Sequence, residues 1–172
     1  MQILQGKRVG IRPLDIADLD NLYQLENDPG NWDTTTTVNP ISRFYLEQYI
    51  ISAHNNIYQD KQLRLVITGE NEETVGLIDL FDFDPHNRRA GTGIILLPEF
   101  RRRGYATEAL DLLISFAHKT LNLKQLFCNI ATDNTKSLQL FTSKGFEITG
   151  TKKAWRLKEH QWKDEHFLQL VF

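Results

Sequence analysis

The chain is predicted to be an α/β protein with one central mixed β-sheet of about seven strands flanked by four helices. Apolar positions switch along the chain between a helical period and a period of two, which separates helical from extended segments. The resulting order is one strand, two helices, three strands, a helix, a strand, a helix and two strands. Three consecutive strands joined by short turns must be antiparallel, whereas a strand, helix and strand in succession form a right-handed parallel crossover, so the sheet is mixed. With 172 residues, 41% of them apolar and 24% charged, the chain is expected to form a single domain over residues 1–172.

Each element has its own signal. Arg8-Val9-Gly10-Ile11-Arg12 alternates and stops at Pro13, as a short edge strand would. Asp15 is placed to cap a helix whose apolar face is Ile16, Leu19, Leu22, Tyr23 and Leu25, ending near Asp28-Pro29-Gly30. An irregular stretch with Trp32, Asp33 and four threonines follows, then Ser42 as the cap of a helix carrying Phe44, Tyr45, Leu46, Tyr49, Ile50 and Ile51. Leu63, Leu65 and Ile67 alternate, turn at Gly69-Glu70-Asn71-Glu72, and continue as Val75 to Phe83. A second turn at Asp84-Pro85-His86-Asn87 leads to a strand from Arg88 to Leu97. Thr107 to Leu121 is a helix burying Ala109, Leu110, Leu113, Ile114 and Ala117. Lys124 to Ala131 returns as a strand, Asn134 to Lys144 is a helix closed by Gly145, and Phe146 to Thr151 and Glu165 to Phe172 are the last strands.

A formal charge of -2 gives no reason to expect nucleic acid or an anionic membrane as a partner, although acidic residues concentrate in the first half and basic ones in the second. One cysteine, Cys128, cannot close an intramolecular disulfide, and no Cys/His spacing suits zinc. No metal is expected. The longest aliphatic run is Ile94-Ile95-Leu96-Leu97 and Met1 to Arg12 lacks the apolar core of a signal peptide, so the expected location is the cytoplasm.

The chemistry-bearing segment is Leu97-Pro98-Glu99-Phe100-Arg101-Arg102-Arg103-Gly104-Tyr105-Ala106-Thr107. A strand runs through basic residues and small residues into a helix N-terminus, whose unpaired N–H groups and positive dipole end suit an anion. It is no Walker loop, since no Gly-Lys-Ser/Thr follows, and Gly91-Thr92-Gly93 lacks the third glycine of a dinucleotide fingerprint. An arginine cluster that only caps a helix would share the triplet, and so would a nucleotide-phosphate binder.

Arg101-x-x-Gly104-x-Ala106 after a strand and before a long helix resembles the pyrophosphate loop of the GNAT superfamily of acyl-CoA-dependent N-acyltransferases. Asp133-Asn134-Thr135-Lys136-Ser137, Phe141 and Lys144-Gly145-Phe146 are similar to that family's Asn-x-x-Ser/Ala helix and its Gly-Phe ending. Gly76-Leu77-Ile78-Asp79-Leu80 and Arg88-Arg89-Ala90 are similar to the branch holding spermidine and ribosomal-protein N-terminal acetyltransferases. The resemblance implies a sheet splayed between the fourth and fifth strands. It implies acetyl-CoA as co-substrate, its pantetheine arm against Ile94, Ile95 and Leu96 and its pyrophosphate on the backbone of Arg102, Arg103, Gly104, Tyr105, Ala106 and Thr107. Arg101 and Arg103 would add charge, Asn134, Ser137 and Phe141 would border the pantetheine arm, and a freed N–H near Leu96 would polarise the thioester.

The implied reaction is direct attack by the amine of a small molecule or a peptide on the thioester, which needs a proton acceptor for the amine and a proton donor for the thiolate. Two positions depart from the family pattern. Phe141 stands where relatives often carry the Tyr acid, which leaves Ser137 as acid or water anchor or as an ordinary first-turn serine. Gly91 stands where polyamine-acetylating relatives carry Glu, which leaves Asp79 and Asp82 as candidate bases or solvated strand carboxylates. Trp32, Asp33 and Phe44 are acceptor-site candidates, with Tyr45, Glu26 and Asp28 nearby. A non-catalytic acyl-CoA-binding module is the alternative reading, and a homo-oligomer is compatible with the family.

Overall fold

The computed structural model describes residues 4–32, 39–53 and 56–172. Eight strands form one sheet: β1 (Leu4–Gln5), β2 (Gly10–Pro13), β3 (Leu63–Thr68), β4 (Thr74–Asp84), β5 (Arg89–Leu96), β6 (Gln125–Ala131), β7 (Glu147–Lys158) and β8 (Gln161–Val171), in the order β1-β2-β3-β4-β5-β6-β8-β7. Every neighbouring pair is antiparallel except β5 and β6, which are parallel as the crossover requires. The additional strand is β1, two residues long and too short to show a period. It pairs with Ile11 and Gly10 and takes the edge position expected for β2.

The four expected helices are α1 (Leu19–Asn27), α3 (Arg43–Ser52), α5 (Tyr105–Lys119) and α6 (Thr135–Ser143). Two single turns, α2 (Pro29–Trp32) and α4 (Ile57–Asp60), add to them, each shorter than any periodic signal. The caps are local chemistry. Asp15 accepts from the Ala17 N–H at 3.0 Å, at the head of a 3-10 turn that precedes α1. Ser42 accepts from the Tyr45 N–H at 3.1 Å and Asn134 from the Ser137 N–H at 3.2 Å. Gly145 ends α6 at a φ of 88°, a left-handed conformation that glycine adopts without strain.

Helices cover both faces of the sheet. On one, Ala109, Leu110, Leu113 and Ala117 of α5 pack with Ile78, Leu80, Leu126 and Cys128 of the strands and with Phe141 of α6. On the other, Leu22 and Leu25 of α1 and Leu46 and Ile50 of α3 cover Val66 and Leu77. The α3 stripe is narrower than its composition suggests: Phe44, Tyr45 and Ile51 are exposed. The last two strands are longer than expected, because 152–158 and 161–164 are mostly polar and project as a hairpin beyond the buried sheet.

The parallel pair is short. β5 and β6 are in register only at Arg89↔Gln125, Ala90↔Leu126 and Gly91↔Phe127. Beyond Gly91, β5 stays paired with β4 as far as Gly76↔Leu96, while β6 follows β8 to Ala131↔Glu165. The sheet is therefore splayed between the fourth and fifth of the expected strands.

Candidate active site at the sheet splay

Successive residues of a strand turn their N–H and C=O groups to opposite sides. The Leu97 N–H donates to the Val75 carbonyl at 3.0 Å, toward β4, whereas the Arg88 carbonyl accepts from β6 at the Gln125 N–H. Even-numbered residues of β5 thus face β6, and past the last ladder pair Ile94 and Leu96 turn their backbone groups into the gap. The Leu96 carbonyl is met by Arg101 Nε at 3.0 Å, and Arg101 Nη2 donates to Asn31 Oδ1 at 3.3 Å. The Leu96 N–H has no acceptor among the described residues. Thr92, at the point where the strands part, buries a hydroxyl that has no partner either.

The loop after β5 turns sharply, with Arg102 at φ 64° and Gly104 at φ 83°. None of the backbone N–H groups from Arg102 to Thr107 finds an acceptor among the described residues, so they form a concave run of donors at the N-terminus of the 15-residue α5. Sequence reasoning missed a participant here. Arg8 donates from Nη2 to the Arg103 carbonyl at 2.5 Å and stacks over the Tyr105 ring at 4.9 Å. Glu108 holds it by accepting from the Arg8 N–H at 2.8 Å. Lys7, Arg8, Arg103, Gly104 and Thr107 line one open groove. No local pattern around Arg8 announces this, because only the pairing of β2 brings it to α5.

On the face covered by α1 and α3, Asp79 of β4 is held bidentately by Arg64 of β3, at 3.1 Å from Nε and 3.0 Å from Nη2. Glu26 of α1 accepts from the same guanidinium at 2.6 Å. Burial works against the Arg64 charge, but the two carboxylates outweigh it and hold its pKa above the ordinary value. Burial also raises the pKa of Tyr49 beside it. Asp79 is thus committed to an ion pair. Asp82 is exposed, sits at φ 48° in the β4–β5 bulge, and makes no ion pair among the described residues. Gly91 is explained by Phe81, whose ring occupies the space any side chain at 91 would need.

Asn134 caps α6, and Ser137 is half-buried in its first turn. Phe141 is buried edge-on against Phe146, with ring centroids 5.1 Å apart. Of the acceptor-site candidates, Phe44 is 71% exposed on the outer side of α3, while the Trp32 side chain and Asp33 lie outside the described residues. Cys128 is buried and its thiol is pushed up to about 12 by desolvation, so it carries no thiolate at neutral pH. No cluster of His, Cys, Asp and Glu suits a metal among the described residues, and no helix there is long and apolar enough to cross a membrane.

A splayed mixed sheet, with unpaired strand amides leading into a run of free loop amides at a helix N-terminus, has the donor geometry to suit a long ligand with an anionic end. Residues 8–147 match the Acetyltransferase (GNAT) domain family, and the chain belongs to that family. It is 26% identical over 148 residues to the spermidine N(1)-acetyltransferase of Escherichia coli K12, covering 83% of this chain and 74% of that one. The crystal structure of Vibrio cholerae spermidine N-acetyltransferase in complex with CoA and spermine superposes with a TM-score of 0.84, at 22% identity and 95% coverage of each chain. A dodecameric structure of the Vibrio cholerae enzyme in an intermediate state gives 0.79, at 21% identity, covering 95% of this chain and 93% of that one.

Proposed function

We propose that this acetyltransferase moves the acetyl group of acetyl-CoA to a primary amine, that of a small molecule or a peptide N-terminus, by direct attack within a ternary complex. The observation that carries the reading is the unpaired Leu96 N–H inside the splay, upstream of the free amides from Arg102 to Thr107. The pyrophosphate is assigned to those amides, with Arg8 and Arg103 supplying charge, and the thioester carbonyl to the Leu96 N–H. A donor aimed at a developing oxyanion contributes about 10²–10³ in rate. Ile94, Ile95 and Asn134 border the pantetheine arm in this assignment.

Ser137 is assigned the protonation of the leaving thiolate, directly or through a water, because Phe141 has no proton to give. The Asp79 carboxylate is occupied on both oxygens by Arg64, so the amine proton is assigned to Asp82 or to water. A homo-oligomer belongs to the proposal, supported by the dodecameric neighbour and by the exposed Trp155, Leu157 and Trp162 of the last hairpin. A cytoplasmic location is supported by the single, buried cysteine.

Amine-dependent release of free thiol from acetyl-CoA tests the activity. A protein that binds CoA but releases no thiol with any amine would be a non-catalytic acyl-CoA module. In the same assay Ser137→Ala is expected to lower kcat by about 10²-fold, the low end for loss of a general acid, with CoA binding unaltered; unchanged turnover removes Ser137 from the chemistry.

A further inference from the structure

We infer that the acceptor is a monoamine carrying a flat apolar or aromatic body, bound over Gly93 against the Phe81 ring, and not a polycation. The inference rests on the acetyltransferase reading and names its substrate class.

The strand register places Asp79, Gly93 and the start of the splay at one level, with Phe81, Gly91 and Phe127 one step below it on the same face. Gly91 is buried under Phe81. Gly93 is not: among the described residues a Cβ built there would meet nothing nearer than the edge of the Phe81 ring, at 3.9 Å. An open niche therefore sits directly beside the unpaired stretch of β5, and its wall is aromatic. Phe81 meets Phe127 edge-to-face at 6.0 Å, and Phe127 meets Phe167 of β8 at 5.6 Å, so three half-buried rings run across the closed end of the splay. Such a row favours a planar or apolar group over a solvated chain.

The charges around the row argue against a polyamine. Recognition of several ammonium groups needs carboxylates that are not already neutralised. The two strand carboxylates on the splay side of the row are Asp79 and Glu165. Arg64 closes Asp79 and also takes Glu26. Glu165, only 2% exposed, lies between Lys152, at 3.0 Å, and Arg156. Both of these carboxylates are thus committed to cations, and opening such a pair to admit a new cation would strand a buried charge.

The test compares 2-phenylethylamine, propylamine and spermidine as acceptors, reading thiol release from acetyl-CoA. Full contact of an aryl group with the niche predicts kcat/KM for 2-phenylethylamine at least about tenfold above that for the other two. Gly93→Ala fits the free space and keeps an ordinary φ, so it should fold. It is expected to raise KM for 2-phenylethylamine at least about fivefold more than KM for propylamine, because it fills only the space the ring would use. Phe81→Leu, which keeps apolar volume but removes the ring, should move the same ratio in the same direction. Spermidine as the better substrate, or variants that change all acceptors equally, overturns the inference while leaving acetyl transfer intact. Failure of every amine to release thiol overturns the acetyltransferase reading itself.

Discussion

Arg101 shows how a side chain can be legible in sequence and still make, in the structure, bonds that no spacing announces. Its place at the head of the Arg-x-x-Gly-x-Ala loop pointed to phosphate. In the structure its guanidinium bonds the Leu96 carbonyl and Asn31, so both sides of the Leu96–Leu97 peptide are fixed, one by Arg101 and the other by Val75. That bond exists because the splay leaves the carbonyl without a strand partner, a fact of three dimensions that no spacing encodes. A positioning role is proposed to follow: Arg101 holds the strand end whose N–H the proposed reaction assigns to the thioester. Arg101→Gln is expected to lower kcat about tenfold, near one charge-assisted hydrogen bond, equally with acetyl-CoA and with phosphate-free acetyl-pantetheine. A loss confined to KM for acetyl-CoA would instead make Arg101 a phosphate ligand. Arg8 is the converse case, silent in sequence because its partner lies 95 residues away.

At the scale of elements, what was legible is what repeats or caps. The alternation of β3 to β5, the α5 stripe and the caps at Asp15, Ser42 and Asn134 rest on local rules, and the structure uses all of them. The one-turn helices and the outer half of the last hairpin obey no buried periodicity and were not legible. Neither was the joint that fastens the segment before α1 to the sheet. Asp18 is 2% exposed and takes both Nη atoms of Arg12 at 2.7 Å, the Asp15 N–H at 2.9 Å and the Thr74 hydroxyl at 3.0 Å. One carboxylate thereby ties the 3-10 turn to β2 and β4. Desolvation alone would raise its pKa, but the bonds from Arg12, Asp15 and Thr74 outweigh it and hold the group below its ordinary 3.8. The folded state then binds this proton less readily than the unfolded chain. The contribution is complete above about pH 4, the unfolded value, and is lost as pH falls through the lower folded one. Asp18→Asn should cost about 3 kcal/mol at neutral pH, as breaking a buried ion pair does. Thermal unfolding should show a drop on the order of 10 °C for a chain of this size. The difference between variant and parent should shrink below about pH 4; a pH-independent difference would mean that shape, not charge, is what Asn disturbs.

Over the whole molecule the uneven charge takes a different meaning from the one its sequence halves suggest. The basic half does carry the anion loop, but Lys7 and Arg8 from the acidic half stand beside it, and Arg64 neutralises two of the acidic residues nearest the acceptor wall. Charge is sorted by site through strand pairing, not by position along the chain. In the proposed function the exposed arginines and lysine around the loop would act on a phosphorylated ligand across solvent, where a Debye length of about 10 Å at 0.1 M falls to about 3 Å at 1 M. Raising ionic strength from 0.05 to 0.5 M should therefore raise KM for acetyl-CoA several-fold while leaving KM for acetyl-pantetheine nearly unchanged, with kcat steady for both. Arg8→Gln should flatten that salt dependence, since it removes one of the charges being screened and leaves the unpaired amides of residues 102–107 in place. A salt response of equal size with both donors would show that the loop charges do not face the phosphates, and the anion site would then have to be sought elsewhere on the basic surface.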